Sequence, residues 1–153
     1  MKELLKLLIL LSISFATFGA IDDKTPISRA LEFNKWYINQ INKDIYPISA
    51  GHEIDNFVTS DTMKKLRHAQ DPKYADDEFY DADFFIKAQY IGDDWPTNVT
   101  VVSSDYDPVC VNVYVSFGKK RDHIVVDCMV REGGRWRVQS VVGHEIYHNS
   151  SLQ

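Results

Sequence analysis

Two cysteines in 153 residues exclude a fold built on disulfides and a zinc site made of cysteine alone. Seven glycines and five prolines are too few for a collagen-like or low-complexity chain. There is no glycine-rich phosphate loop and no G-x-S-x-G elbow, so neither a nucleotide cradle nor a hydrolase nucleophile is signalled. Positive charge is scarce: 17 Lys and Arg stand against 22 Asp and Glu. That balance leaves no basic face for a nucleic-acid backbone, and no nucleic-acid partner is expected. Long apolar runs are missing after the first twenty residues, so stable membrane insertion of the remainder is not expected either. With 44% hydrophobic and 25% charged residues, the composition suits one soluble domain.

The chain opens with MKELLKLLILLSISFATFGA. Lys2 and Lys6 precede or interrupt the start of an apolar run from Leu7 to Phe18, and Gly19 and Ala20 follow. A charged start, a short apolar core and small residues at the exit describe a secretory signal peptide over residues 1–20. Residues 21–153 then form a single domain, exported to the periplasm or secreted. Cleavage removes two lysines and only one acid, Glu3, leaving the mature protein more acidic.

Thr25-Pro26 reads as a helix start, with Thr as cap and Pro at the first helical position. The helix is expected to reach about Lys43, burying Ile27, Leu31, Tyr37 or Ile38, and Ile41, with Phe33 and Trp36 widening the stripe. A second helix is expected from Ser60, as cap, to Gln70, with Met63 and Leu66 inward and Asp71-Pro72 ending it. The stretch from Tyr74 to Gln89 is ambiguous. After Trp95-Pro96 the pattern turns to period two, giving four strands around Val99 and Val101, Val109 to Phe117, Ile124 to Val130, and Trp136 to Val142. Helices followed by an antiparallel meander make an α+β fold, with the N-terminal helices packed on one face of the sheet.

Cys110 and Cys128 fall on successive strands, and an exported protein favours a bridge. Pairing the two apolar faces sets Val113 opposite Val126 and Val111 opposite Cys128, which points Cys110 away. A one-residue slip joins the sulfurs and turns the second strand's apolar side outward. A bridge and a pair of buried thiols both remain open.

His144-Glu145-Ile146-Tyr147-His148 matches the H-E-x-x-H zinc pattern. It follows a strand across Gly143, and no His, Asp or Glu follows His148 to complete the site, so the match is read as chance and no metal or other cofactor is expected. Asp76, Asp77, Glu78, Asp81 and Asp83 form the densest run of one charge. They are the candidate partner-binding residues, suited to a basic surface, although such runs often serve solubility alone. Trp36, Trp95 and Trp136 lie beside apolar positions and read as core.

Asp83-Phe84-Phe85-Ile86-Lys87-Ala88-Gln89, Asp94-Trp95-Pro96, Asn98-Val99-Thr100-Val101 and Arg131-Glu132-Gly133-Gly134-Arg135-Trp136-Arg137-Val138 together resemble the bacterial domain of unknown function 3828 family. The resemblance spans about residues 27–142. It implies a member of the nuclear-transport-factor-2-like superfamily, a curved antiparallel sheet wrapped around N-terminal helices as a cone. The family carries no assigned chemistry, so no catalytic residue is implied. The Tyr90-Ile91-Gly92 segment and the cysteine pair depart from the family pattern.

The reading that results is an exported, non-enzymatic binding or partner-recognition protein. One form of it is an immunity or inhibitor protein whose acidic run meets the basic rim of a toxin or hydrolase in the envelope. The alternative is a small-molecule-pocket protein, or an isomerase- or hydrolase-like enzyme, using an acid or histidine inside the cone.

Overall fold

The computed structural model describes residues 24–74 and 82–144. In these, two α-helices precede a four-stranded antiparallel sheet, an α+β arrangement. The leader expected at 1–20 lies outside the described residues. Among the described residues, no helix is long and apolar enough to cross a membrane.

Helix α1 covers Pro26–Ile41. Thr25 caps it, its hydroxyl accepting from the Ser28 amide at 3.1 Å, and Pro26 stands where no backbone donor is needed. Its buried side is Ala30, Phe33, Asn34, Tyr37 and Ile38, rotated from the expected stripe so that Ile27 is 39% exposed. The aromatic residues decide this. Phe33 packs on Trp36, Tyr37, Phe57 and Phe85, with ring centroids 5.1–6.4 Å apart. An aromatic ring buries far more surface than an isoleucine, so the helix turns that way.

Helix α2 covers Ser60–Ala69 and buries Met63, Leu66 and Ala69. Its cap position is Thr59 rather than the expected Ser60; the Thr59 hydroxyl donates to the Thr62 hydroxyl at 2.8 Å and caps no helix amide. The carboxylate of Glu132 reaches across instead, accepting from the Ser60 amide at 3.2–3.3 Å and from its hydroxyl at 2.8 Å. A negative group at the positive end of a helix is favoured electrostatically as well as by the hydrogen bonds.

The strands are β1 (Val99–Tyr106), β2 (Val111–Phe117), β3 (His123–Glu132) and β4 (Arg135–His144), ordered β1-β2-β3-β4 as a meander. Two bulges interrupt it, one after Val101 and one between Cys128 and Met129 where β3 faces β4. Phe57–Thr59 docks on the outer edge of β4: the Val138 amide donates to the Phe57 carbonyl at 2.8 Å, and the Thr59 amide to the Val138 carbonyl at 3.0 Å.

The expected register between β2 and β3 is corrected by one residue. Asn112 faces Cys128, Val113 faces Asp127 and Val115 faces Val125. Val125, Asp127 and Met129 therefore point into the core, fully buried, while Ile124, Val126, Cys128 and Val130 take the opposite face. In this frame the sulfurs meet, and Cys110 and Cys128 are joined in a disulfide. The turn before β2 aims Cys110: Asp107 Oδ1 accepts from the Val109 and Cys110 amides at 2.7 and 2.9 Å.

Candidate partner-binding surface

Residues 82–91 carry no regular element, and a single carboxylate organises their first turn. Asp83 Oδ1 accepts from the Phe85 and Ile86 amides at 2.8 and 3.0 Å, and Oδ2 accepts from the Tyr37 hydroxyl at 2.7 Å. Burial, with the neighbouring Asp83 charge and hydrogen bond, pushes the Tyr37 phenol far above its ordinary value, so it remains a donor. Asp83 was one of the five acids expected at a partner surface; its oxygens are turned inward to hold the chain. Asp76, Asp77, Glu78 and Asp81 lie outside the described residues.

The turn that Asp83 fixes is one wall of an open cleft of about 920 Å³. The end of α1 and the loop after it supply Ile41, Asn42, Asp44, Tyr46 and Ile48; α2 supplies Leu66 and Ala69; the turn supplies Asp83, Phe84, Ile86, Tyr90 and Ile91. Among the described residues that line it there is no Lys, Arg or His. Lys87, in the same turn, holds its ammonium 4.2 Å from the ring centroid of the cleft-lining Phe84. Burial lowers the Lys87 pKa, against the opposing pull of Asp83.

Two backbone features mark this region. Asp44 and Lys87 both adopt left-handed conformations, φ 58° and 51°, which side-chain-bearing residues take at some expense. Tyr46 and Tyr90 stand at the mouth, 60% and 81% exposed. The loop behind the cleft is clamped by Arg67, which donates to the carbonyls of Ile48 and Gly51 at 3.2 and 3.0 Å and to both oxygens of Asp55 at 2.8 and 3.3 Å.

A second unusual acid sits in the core. Asp127 is fully buried between Val113 and Val141 in the ladder, and Asn34 of α1 donates to it at 2.5 Å. Burial pushes its carboxyl up to about 7, against the opposing effect of the Asn34 hydrogen bond. The remaining oxygens of both side chains have no hydrogen-bond partner among the described residues. Asp127 is not among the residues that line this cleft, and Phe33, Tyr37, Phe85 and Phe117 are fully buried in the core. The only sequence signal for Asp127 is one acid inside Ile-Val-Val-Asp-Cys-Met-Val.

His144 ends β4, facing Ile124, with its ring edge-on to Tyr114 at 5.6 Å. It is thus on a strand and not on the helix that H-E-x-x-H chemistry uses; Glu145 and His148 lie outside the described residues. Trp36, Trp95 and Trp136 pack against the core as expected, Trp95 stacking on His123 at 4.4 Å.

No family model matches the sequence, and no curated protein matches it significantly. Solved structures do. The chain is similar to a chain in the crystal structure of the type VI native effector–immunity complex Tae3–Tai3 from Ralstonia pickettii, with a TM-score of 0.68 and 25% identity over 81% of this chain and 98% of that one. The selenomethionine form of the same Ralstonia pickettii complex gives a TM-score of 0.65 and 25% identity over 81% of this chain and 100% of the other.

Proposed function

We propose that the chain is an immunity protein, standing on the Tai3 side of an effector–immunity pair and neutralising a secreted effector by binding it. The observation that carries the reading is a fold likeness extending over 98% of the neighbour's chain, at 25% identity. The site agrees with it: a cleft bordered by Asp44 and by the exposed Tyr46 and Tyr90, and a core acid, Asp127, that is fully buried. An inhibitor needs a complementary surface and no reactive group.

We place the protein in the periplasm. The leader-like first twenty residues and the Cys110–Cys128 disulfide both support that compartment, since disulfides persist where the surroundings are oxidising. The acidic run at residues 76–83 belongs to the same proposal as a steering surface for a basic partner. So does the resemblance to the domain of unknown function 3828 family, with its cone-like sheet.

A strain lacking the chain, grown in contact with its type VI-proficient parent, tests this. The expected outcome is inhibition that disappears when the parent's secretion apparatus is disabled. Equal growth in both cases overturns the proposal, and recovery of the uncleaved chain from the cytoplasm overturns its location.

A further inference from the structure

We infer that the cleft between the end of α1, α2 and the 82–91 turn receives a protruding loop of the protein partner, one that brings a lysine or arginine beside an apolar residue. This rests on the immunity reading above and names the surface it uses.

Charge chooses the occupant. The mouth carries Asp44, whose carboxylate has no ion-pair or hydrogen-bond partner among the described residues, and no Lys, Arg or His is among the described residues that line the cleft. An anionic ligand would be repelled. A cation entering beside Asp44 gains a charge-assisted hydrogen bond in a half-enclosed place, where screening is weaker than on an open surface. The floor chooses the rest of it: Ile48, Leu66 and Ile86 are buried side chains presenting apolar surface to the cleft.

The tyrosines favour a protein over a small molecule. Tyr46 and Tyr90 line the cleft from two different segments and are largely exposed. Rigid aromatic side chains with a polar tip are what protein interfaces concentrate at their centres, because they cover area at little entropic expense. The clamp of Arg67 and the Asp83 turn hold the two walls in place, so the surface is set before the partner arrives.

The test uses the secreted effector whose inactivation relieves the growth defect of the strain lacking this chain. That purified effector is titrated by calorimetry into the purified mature protein and its variants. Tyr46→Ala with Tyr90→Ala is expected to weaken binding roughly tenfold or more. Asp44→Asn, a residue equally at home at positive φ, is expected to weaken it several-fold and to flatten its dependence on salt. Lys120→Ala, on the β2–β3 turn, is expected to bind as the parent does. Unchanged thermal unfolding of the variants shows that the fold is kept. An effector that binds parent and cleft variants equally overturns the docking site and leaves the immunity reading standing. A strain in which no secreted protein does harm overturns both. A small molecule retained by the protein from the envelope, and lost from the tyrosine variant, overturns the docking loop in favour of a ligand pocket.

Discussion

Asn34 Nδ2 lies 2.5 Å from Asp127 Oδ2, tying the middle of the first helix to the middle of the third strand through two side chains closed to solvent. A buried carboxylate with one hydrogen bond is poorly compensated as an anion, so the neutral form is favoured. The pair places α1 on the sheet at one point among otherwise apolar contacts.

That relationship predicts an inverted pH dependence. Unfolded, Asp127 titrates near 3.8; folded, burial raises it to about 7. Between those values the native chain keeps a proton that the unfolded chain releases, so stability falls as pH rises from about 4 to about 7 and is level above. The whole drop from this group is on the order of 4 kcal/mol. Asp55 and Glu32 act in the opposite sense: burial alone would raise both, but their basic neighbours hold them below ordinary values, so their stabilisation is lost only in acid. Asp127→Asn, neutral at every pH, is expected to remove this decline between about pH 4 and 7 and to exceed the parent in stability at pH 8. Urea unfolding of both proteins at pH 5 and pH 8 measures it; a parent equally stable at the two would contradict the assignment.

Glu132 is expected to matter more than a half-exposed acid ordinarily does. It caps α2 and also accepts from Arg137 at 2.8 Å. Glu132→Ala should lower stability by about 1–2 kcal/mol, the scale of a lost cap plus a charged hydrogen bond, and Glu132→Gln by less. Denaturant midpoints, with amide exchange of Met63 and Thr62 as the local readout, distinguish this from a general loosening.

Asp83→Ala removes the acceptor of two turn amides and of the buried Tyr37 hydroxyl together. Leaving such groups unpaired costs about 1–3 kcal/mol each, so the variant should be strongly destabilised, while Asp83→Asn keeps part of the set. If Asp83→Ala is as stable as the parent, the inward role assigned to this acid is wrong.

Breaking the bridge with Cys110→Ser and Cys128→Ser together should lower stability by about 3 kcal/mol, from the greater freedom of the unfolded chain across an 18-residue separation. The comparison is thermal unfolding of parent and double variant, without reductant. An effect near zero would mean that the strand pairing alone holds these residues.

The sequence made the element order legible because each element follows a strong local rule: Thr25-Pro26 starts a helix, Gly133-Gly134 turns a hairpin, and Val111 to Phe117 alternates cleanly. What it hid were facts decided at a distance. Pairing apolar with apolar pointed to Ile124 and Val126 inward, but the fully buried positions are Val125, Asp127 and Met129, with Asp127 meeting Asn34, 93 residues away, and Cys128 on the other face joined to Cys110. Neither long-range partner can be read from the alternation of one strand. Glu132 replacing the local cap of α2 is the same kind of fact. At the candidate site, the density of acids at 76–83 drew notice, whereas Asp44, Tyr46 and Tyr90 are scattered singly and share a place only once α1, α2 and the turn are assembled.

The segment Phe57–Thr59, laid along the last strand, has a bearing on how much of this protein a cell can hold. Its hydrogen bonds occupy a margin that would otherwise invite strands from sister molecules, and at the far margin the irregularity after Val101 breaks the straight run such stacking needs. Under the proposed immunity role, the chain would have to be stocked in excess of the effector it binds. Both borders of the sheet are built so that crowding does not turn the reserve into aggregate.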